Sequence, residues 1–432
     1  MARQKWSWTL LGALAVQLAG CRSGNPAALP AVQPVTAHFA PVASALPSTL
    51  AECLTVASEQ QPRLAAARAS VAAAEDGRRA LENLGLPASL AAEVPIRRKQ
   101  AALGVAAAAA ALDQAEQETA YAVTRTWFTV LFAQDQQRIA ATVVERLTTV
   151  QQAAQDALDA GARDLTAADV LRTSVYLEMA ETKLAQASQG VKRALAALAE
   201  AVGIDPDVAL EAPPGRLPVP EVRPPDRSEV VNAALARRGE LAQAGIFVQV
   251  ACLEVEAQGT CILQRMQTFA AGSDVHSTQV PQGVRNTDYR PGAVPPEMPT
   301  LLVGSRPERV KHAQELSARA EAVLDATRKL VALEAADAFL RWEEAEKQSR
   351  KARKAAELGE KLADGLSKDI RAGLKIRVED VVTARVLAAE ARSHYNEYLY
   401  RQIIALADLE RVTAGGFRAG LVDLMRSVSV KQ

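Results

Sequence analysis

The chain has 432 residues, is 49% hydrophobic but only 4% aromatic, and balances 50 Lys plus Arg against 50 Asp plus Glu. Charges of both signs are interleaved along it, so no long-range field recruits nucleic acid or an anionic surface. Beyond the first twenty residues, no stretch supplies the roughly 20 uninterrupted apolar residues that carry a helix across a bilayer.

Residues 1–20 have the layout of a secretory signal: Arg3 and Lys5, a largely apolar run from Trp6 to Val16, then Leu18-Ala19-Gly20-Cys21. That tetrapeptide resembles a bacterial lipobox. It predicts export and a lipid anchor on the Cys21 thiol, and Arg22 is compatible with sorting to the outer membrane. Residues 21–48 carry Pro26, Pro30, Pro34, Pro41 and Pro47, which prevent regular helix and suit a semi-extended tether.

Two helix territories follow, residues 49–205 and 228–414, divided by a proline-rich linker at 206–227 and closed by a tail at 415–432. No proline interrupts Pro95 to Pro206 or the chain after Pro307, and strong helix formers dominate both spans. Apolar residues recur at steps of three and four: Ile139, Val143, Leu147, Val150, Ala154 and Leu158 in one arm, then Leu184, Ala187, Val191, Leu195, Leu198 and Val202. Leu358, Leu362, Leu366 and Ile370 repeat the pattern, as do Ile403, Leu406, Leu409 and Val412. Such narrow stripes predict an all-α fold of long antiparallel helices packed as coiled coils, the first arm running over about residues 100–160.

Each arm stops at a glycine, Gly161 in Ala160-Gly161-Ala162 and Gly373 in Ala372-Gly373-Leu374, and helix restarts at Asp169-Val170-Leu171 and Asp380-Val381-Val382. These are predicted hairpin tips. The two halves are copies: Gln61-Pro62-Arg63-Leu64 corresponds to Arg238-Gly239-Glu240-Leu241 at an offset of 177, whereas Asp169 and Asp380 stand 211 apart. The second copy therefore holds 34 extra residues, in an irregular insert at about 260–307.

The order of these elements is similar to the TolC family of outer-membrane efflux proteins. The residues carrying the likeness are Leu54, Ala57, Pro62, Leu64, Gly161, Asp169-Val170-Leu171, Leu195, Leu198 and Gly203-Ile204-Asp205-Pro206, then Glu240-Leu241, Gly373, Asp380-Val381-Val382, Tyr395, Leu406 and Leu409. The resemblance implies a homotrimer continuing an outer-membrane barrel as a helical tunnel, working with a periplasmic adaptor and an inner-membrane pump. It places Gly161, Ala162, Arg163, Gly373, Leu374 and Lys375 at the periplasmic tip that meets the adaptor, with Asp169 and Asp380 just above a constriction. Arg163, Lys375 or Arg377 would be their breakable partners. Each aspartate equally fits a first-turn residue held by the helix dipole.

One departure from the family is plain in the sequence. Residues 86–95 replace the first strand pair, although two spanning strands need about 9 to 11 residues each plus a turn. The second insert is long enough but contains Pro281, Pro291, Pro295, Pro296 and Pro299 and only Phe269 and Tyr289 as aromatics, so little or no barrel is expected. A coiled-coil scaffold lipoprotein without a channel stays open beside the efflux duct. Enzymatic chemistry and cofactors are not expected: His38, His276, His312 and His394 are scattered, and no metal, phosphate-loop or nucleophile motif occurs. Trp127, Tyr121, Phe128, Phe339 and Trp342 read as packing or subunit contacts. Cys53, Cys252 and Cys261 form no framework, and on one straight helix the last two would lie about 13 Å apart; a bend at Gly259 would be needed to join them.

Overall fold

A computed structural model describes residues 47–85, 91–161, 166–205, 211–261, 302–371 and 377–423. The predicted signal, Cys21, most of the tether, the bulk of the insert, and residues 162, 163 and 373–375 lie outside them. Eight helices make up the regular structure of the described residues, with no strand among them: α1 Leu50–Gln60, α2 Pro62–Glu82, α3 Val94–Asp159, α4 Ala167–Val202, α5 Arg227–Arg237, α6 Gly239–Thr260, α7 Arg306–Arg371 and α8 Val378–Val412. The all-α expectation holds.

Local chemistry sets the boundaries. Thr49 accepts the Glu52 N–H while the Glu52 carboxylate accepts the Thr49 N–H, a capping box that starts α1. Pro62 opens α2 where its missing N–H costs nothing. The first long helix begins at Val94 rather than near residue 100, because Pro95 sits in its first turn and is tolerated there. At 66 residues each, α3 and α7 are about 99 Å long. α4 ends at Gly203, whose φ of 87° is left-handed and where an added Cβ would come within 3.0–3.1 Å of the Gln60 and Gln61 backbone, closer than van der Waals contact. Gly203→Ala should therefore cost about 1–2 kcal/mol, from left-handed strain plus crowding, read as a lower urea midpoint with unchanged slope.

The duplication is structural as well as sequential. α1 maps onto α5 at the offset of 177, with α2 onto α6; α3 and α4 map onto α7 and α8 at 211, within a residue at each boundary. The α2–α6 copies end in matching ways. Arg98 of α3 donates to the Leu81 and Glu82 carbonyls at 3.1 and 3.2 Å, and its counterpart Arg309 of α7 donates to the Cys261 carbonyl at 3.1 Å and the Gln258 side chain at 2.8 Å. Each arginine satisfies acceptors orphaned at a helix C-terminus.

Because Arg98 ties the two helix ends together, only residues 83–93 connect α2 to α3. Eleven residues, out and back at about 3.3 Å each, reach less than about 20 Å, short of a hydrocarbon core.

The main core lies midway along the long helices. Leu50, Cys53 and Ala57 of α1 pack with Val123, Trp127, Phe128 and Leu131 of α3, Leu198 and Val202 of α4, Val331 and Trp342 of α7, and Ile403, Leu406 and Leu409 of α8. The aromatics read from sequence are thus packing residues, with Phe132 stacked on Tyr400 at 4.8 Å and Tyr121 under the Arg411 guanidinium at 5.3 Å. Burial pushes the Cys53 thiol up to about 12, so it is an inert apolar filler. Cys252 lies exposed 3.5 Å from the Ser317 hydroxyl while Cys261 is buried beside Arg309, and both are free thiols. α6 stays helical through Gly259, which removes the bend that pairing needed.

Neither the linker nor the start of the tail is a loose connector. Leu217 and Leu421 join the main core; the Leu217 N–H donates to Asp135 at 3.1 Å, and the Phe417 N–H donates to the Thr413 hydroxyl at 3.1 Å.

Candidate functional site

Two features are left over once the core is accounted for: the helical tips and a set of exposed apolar stripes. At the first tip Gly161 takes a φ of 78°, the left-handed turn that the Ala-Gly-Ala motif predicts. Thr166 then caps α4. Its hydroxyl and N–H donate to Asp169 at 2.7 and 3.0 Å, and Asp169 returns its own N–H to the hydroxyl. The Thr166 hydrogen bonds hold the Asp169 carboxyl below the usual carboxylate range, with Arg172 and Arg377 acting in the same direction.

At the second tip Arg377 grips Asp380 through two nitrogens at 3.1 and 3.2 Å. Arg172 of α4 reaches across to Glu379 of α8 at 2.8 Å and lies 3.9 Å from Asp169. The two predicted constriction aspartates therefore belong to one ion-paired patch that joins α4 to α8. Arg377 is a partner foreseen from sequence; Arg172 and Glu379 were not, because their contact spans two helices remote in the chain. Locally each aspartate does what a first-turn carboxylate does, capping or pairing near a helix N-terminus. Of the predicted tip residues, Ala162, Arg163, Gly373, Leu374 and Lys375 fall outside the described residues.

The stripes carry more information. Leu147 of α3, Ala180 of α4 and Val382 of α8 form a buried cluster that locks repeat 1 onto repeat 2. Shifted by 211, Leu147 becomes Leu358 of α7; shifted back by 211, Val382 becomes Leu171 of α4. Leu147 and Val382 are each 1% exposed, whereas Leu358 is 56% and Leu171 is 71% exposed. The same chemistry that closes the chain internally is thus presented, unpartnered, on its two outer helices. Val175 and Met179 extend the α4 stripe and Leu362 the α7 stripe, all exposed. The Leu358–Leu362 periodicity read from sequence is real, but within the chain both leucines stand exposed.

No protein-family model matches the sequence, and no curated protein matches it. Solved structures do. A membrane protein from Pseudomonas aeruginosa is 17% identical, with 87% of this chain and 97% of that chain covered and a TM-score of 0.67. The outer membrane protein VceC from Vibrio cholerae is 15% identical over 85% of this chain and 97% of its own, at 0.65. The open state of the Neisseria gonorrhoeae MtrE outer membrane channel is 15% identical over 86% and 90%, at 0.66. The chain has the TolC-like outer-membrane channel fold.

These three structures cover 85–87% of this chain. Among the described residues no helix is long and apolar enough to cross a membrane, and no group of three or more His, Cys, Asp or Glu is placed to hold a metal ion.

Proposed function

We propose that the chain is the exit-duct component of a trans-envelope efflux or secretion system, a lipoprotein anchored to the outer membrane through Cys21 and assembled as a homotrimer. The observation that carries the reading is the pair of unpartnered stripes on α4 and α7. If α7 of one protomer packs on α4 of the next, as α3 packs on α8 within a chain, Leu358 meets Leu171 as Leu147 meets Val382. That contact is head-to-tail, and such contacts stay finite only by closing into a ring. Three copies of two repeats then give a tube of six equivalent units, the arrangement that the TolC resemblance implies.

In this tube the Gly161 and Gly373 turns, with Ala162, Arg163, Leu374 and Lys375, face the periplasmic adaptor that couples to an inner-membrane pump. Asp169 and Asp380, tied by Arg172 and Arg377, form the carboxylate ring above the constriction; breaking those ion pairs would widen it. The eleven-residue connection between α2 and α3 favours a second reading, a periplasmic scaffold with no pore of its own.

One complementation experiment separates the readings. A strain lacking the chain should become sensitive to exported toxic compounds and recover with the parent gene, while Cys21→Ser should move the protein from the membrane to the soluble periplasmic fraction. Unchanged sensitivity on deletion would favour the scaffold, and an unchanged membrane fraction for Cys21→Ser would remove the anchor.

A further inference from the structure

Below the main core, α8 forms the floor of a trough walled by α3 and α7, and the linker crosses it at residues 215–219. The half-open cavity there is about 560 Å³, a size that suits a small molecule. Six arginines line it against three carboxylates. Most are already committed: Arg146 to Glu360 at 3.2 Å, Arg353 to Glu357 at 3.1 Å, Arg385 to Asp364 at 2.9 Å, and Arg138 to Asp135 at 2.7 Å.

Arg216 and Arg392 are different. Both face Asp135, but that carboxylate is spent on Arg138 and on the Leu217 N–H, and burial raises its pKa against the pull of all three arginines. Among the described residues no carboxylate lies within ion-pair distance of either. The linker holds Arg216 over the trough because the Arg138 guanidinium donates to the Gly215 carbonyl at 2.7 Å on one side and Asp135 anchors Leu217 on the other. Arg216 and Arg392 both line the trough with their side chains exposed, Arg392 lying 5.6 Å over the Tyr395 ring, and an anion entering it would gain charge-assisted, bidentate hydrogen bonds from them.

Duplication does not explain the cluster. At the offset of 211, the counterparts of Arg392, Arg385 and Arg138 are Glu181, Ser174 and Ser349. The positive trough therefore occurs once per chain, on the face that repeat 1 and repeat 2 build together.

We propose that this cavity binds a small multivalent anion, a solute bearing two or more phosphate or carboxylate groups, held chiefly by Arg216 and Arg392. The assignment does not rest on the duct reading, since the cavity is complete within one chain.

Calorimetric titration of the purified full chain at constant ionic strength tests it, with pyrophosphate as the phosphate probe and citrate as the carboxylate probe. Saturable binding of one anion per chain is expected for at least one probe, weakened about tenfold or more by Arg216→Gln and by Arg392→Gln. Both side chains are exposed, so circular dichroism should show the variants folded. Arg350→Gln, on α7 outside the cavity and paired with Glu346, should bind like the parent. Absence of saturable heat with both probes would overturn the site, as would an equal loss in Arg350→Gln, which would reduce it to diffuse charge.

Discussion

On the proposed ring, Leu358→Glu is expected to give a folded chain that does not assemble, while the same change at its repeat counterpart, Leu147→Glu, is expected to prevent folding. The two leucines have equivalent places in the two copies, but Leu147 is buried among Val143, Tyr176 and Val382 inside the chain and Leu358 is exposed on it. A carboxylate at 147 would be desolvated without a partner in the monomer, which proteins do not tolerate. At 358 it meets water until a neighbour docks. Losing one buried leucine removes about 1.5–3 kcal/mol per interface, and forcing a carboxylate into the contact adds to that, so assembly should weaken by about a hundredfold or more.

Sedimentation in detergent reads the mass, and thermal unfolding reads the fold. Leu171→Lys should phenocopy Leu358→Glu, and combining the two in one chain should restore part of the assembly, because every head-to-tail contact then carries a Lys–Glu pair. Trimers that persist in both single variants would mean that α4 and α7 do not meet between protomers.

The second large effect concerns the buried charge at the other end of the bundle. Arg97 has no exposed surface; it binds Glu254 through both terminal nitrogens and lies 3.3 Å from Glu93, while Gln100 and Gln258 donate to Glu254 at 3.0 and 2.7 Å. Burial works against the Glu254 carboxylate, and the hydrogen bonds and charge of Arg97 outweigh it, leaving its pKa below the ordinary value. Arg97→Met should therefore destabilise the chain by about 3–5 kcal/mol, since it strands Glu254 in the interior. Arg97→Met combined with Glu254→Leu should recover the part of that loss that belongs to the widowed Glu254, while the buried Glu93 still loses Arg97. Denaturant unfolding of the four proteins in the cycle provides the check. A double variant no more stable than Arg97→Met alone would mean that the network contributes through geometry that apolar packing cannot replace.

A similar network, Arg238 and Arg411 sharing Glu334 at 3.0 and 2.7 Å, marks the middle of repeat 2, where repeat 1 has the apolar Val123 in place of Glu334. The copies have thus kept their backbone register while exchanging the chemistry at their centres. Gly239 shows the same independence from the other side. It stands where repeat 1 has Pro62, and a Cβ there would come within 2.6 Å of the Ala110 carbonyl, so the close approach of α6 to α3 depends on its absence.

Periodicity and punctuation in the sequence were enough to determine the all-α class, the stop at Gly161, the helix restarts at Asp169 and Asp380, and the internal duplication. These are local properties: a helix needs only its own residues to choose its start, its stop and the face it wishes to bury. Tertiary structure alone decided which faces found a mate. Leu147 and Leu358 look alike along the chain, as do Val382 and Leu171, and only packing distinguishes the pair sealed inside from the pair left open. It also decided that Arg97 and Glu254, or Arg172 and Glu379, are partners, because contacts between helices far apart in sequence follow from how the stripes dock and leave no periodic trace.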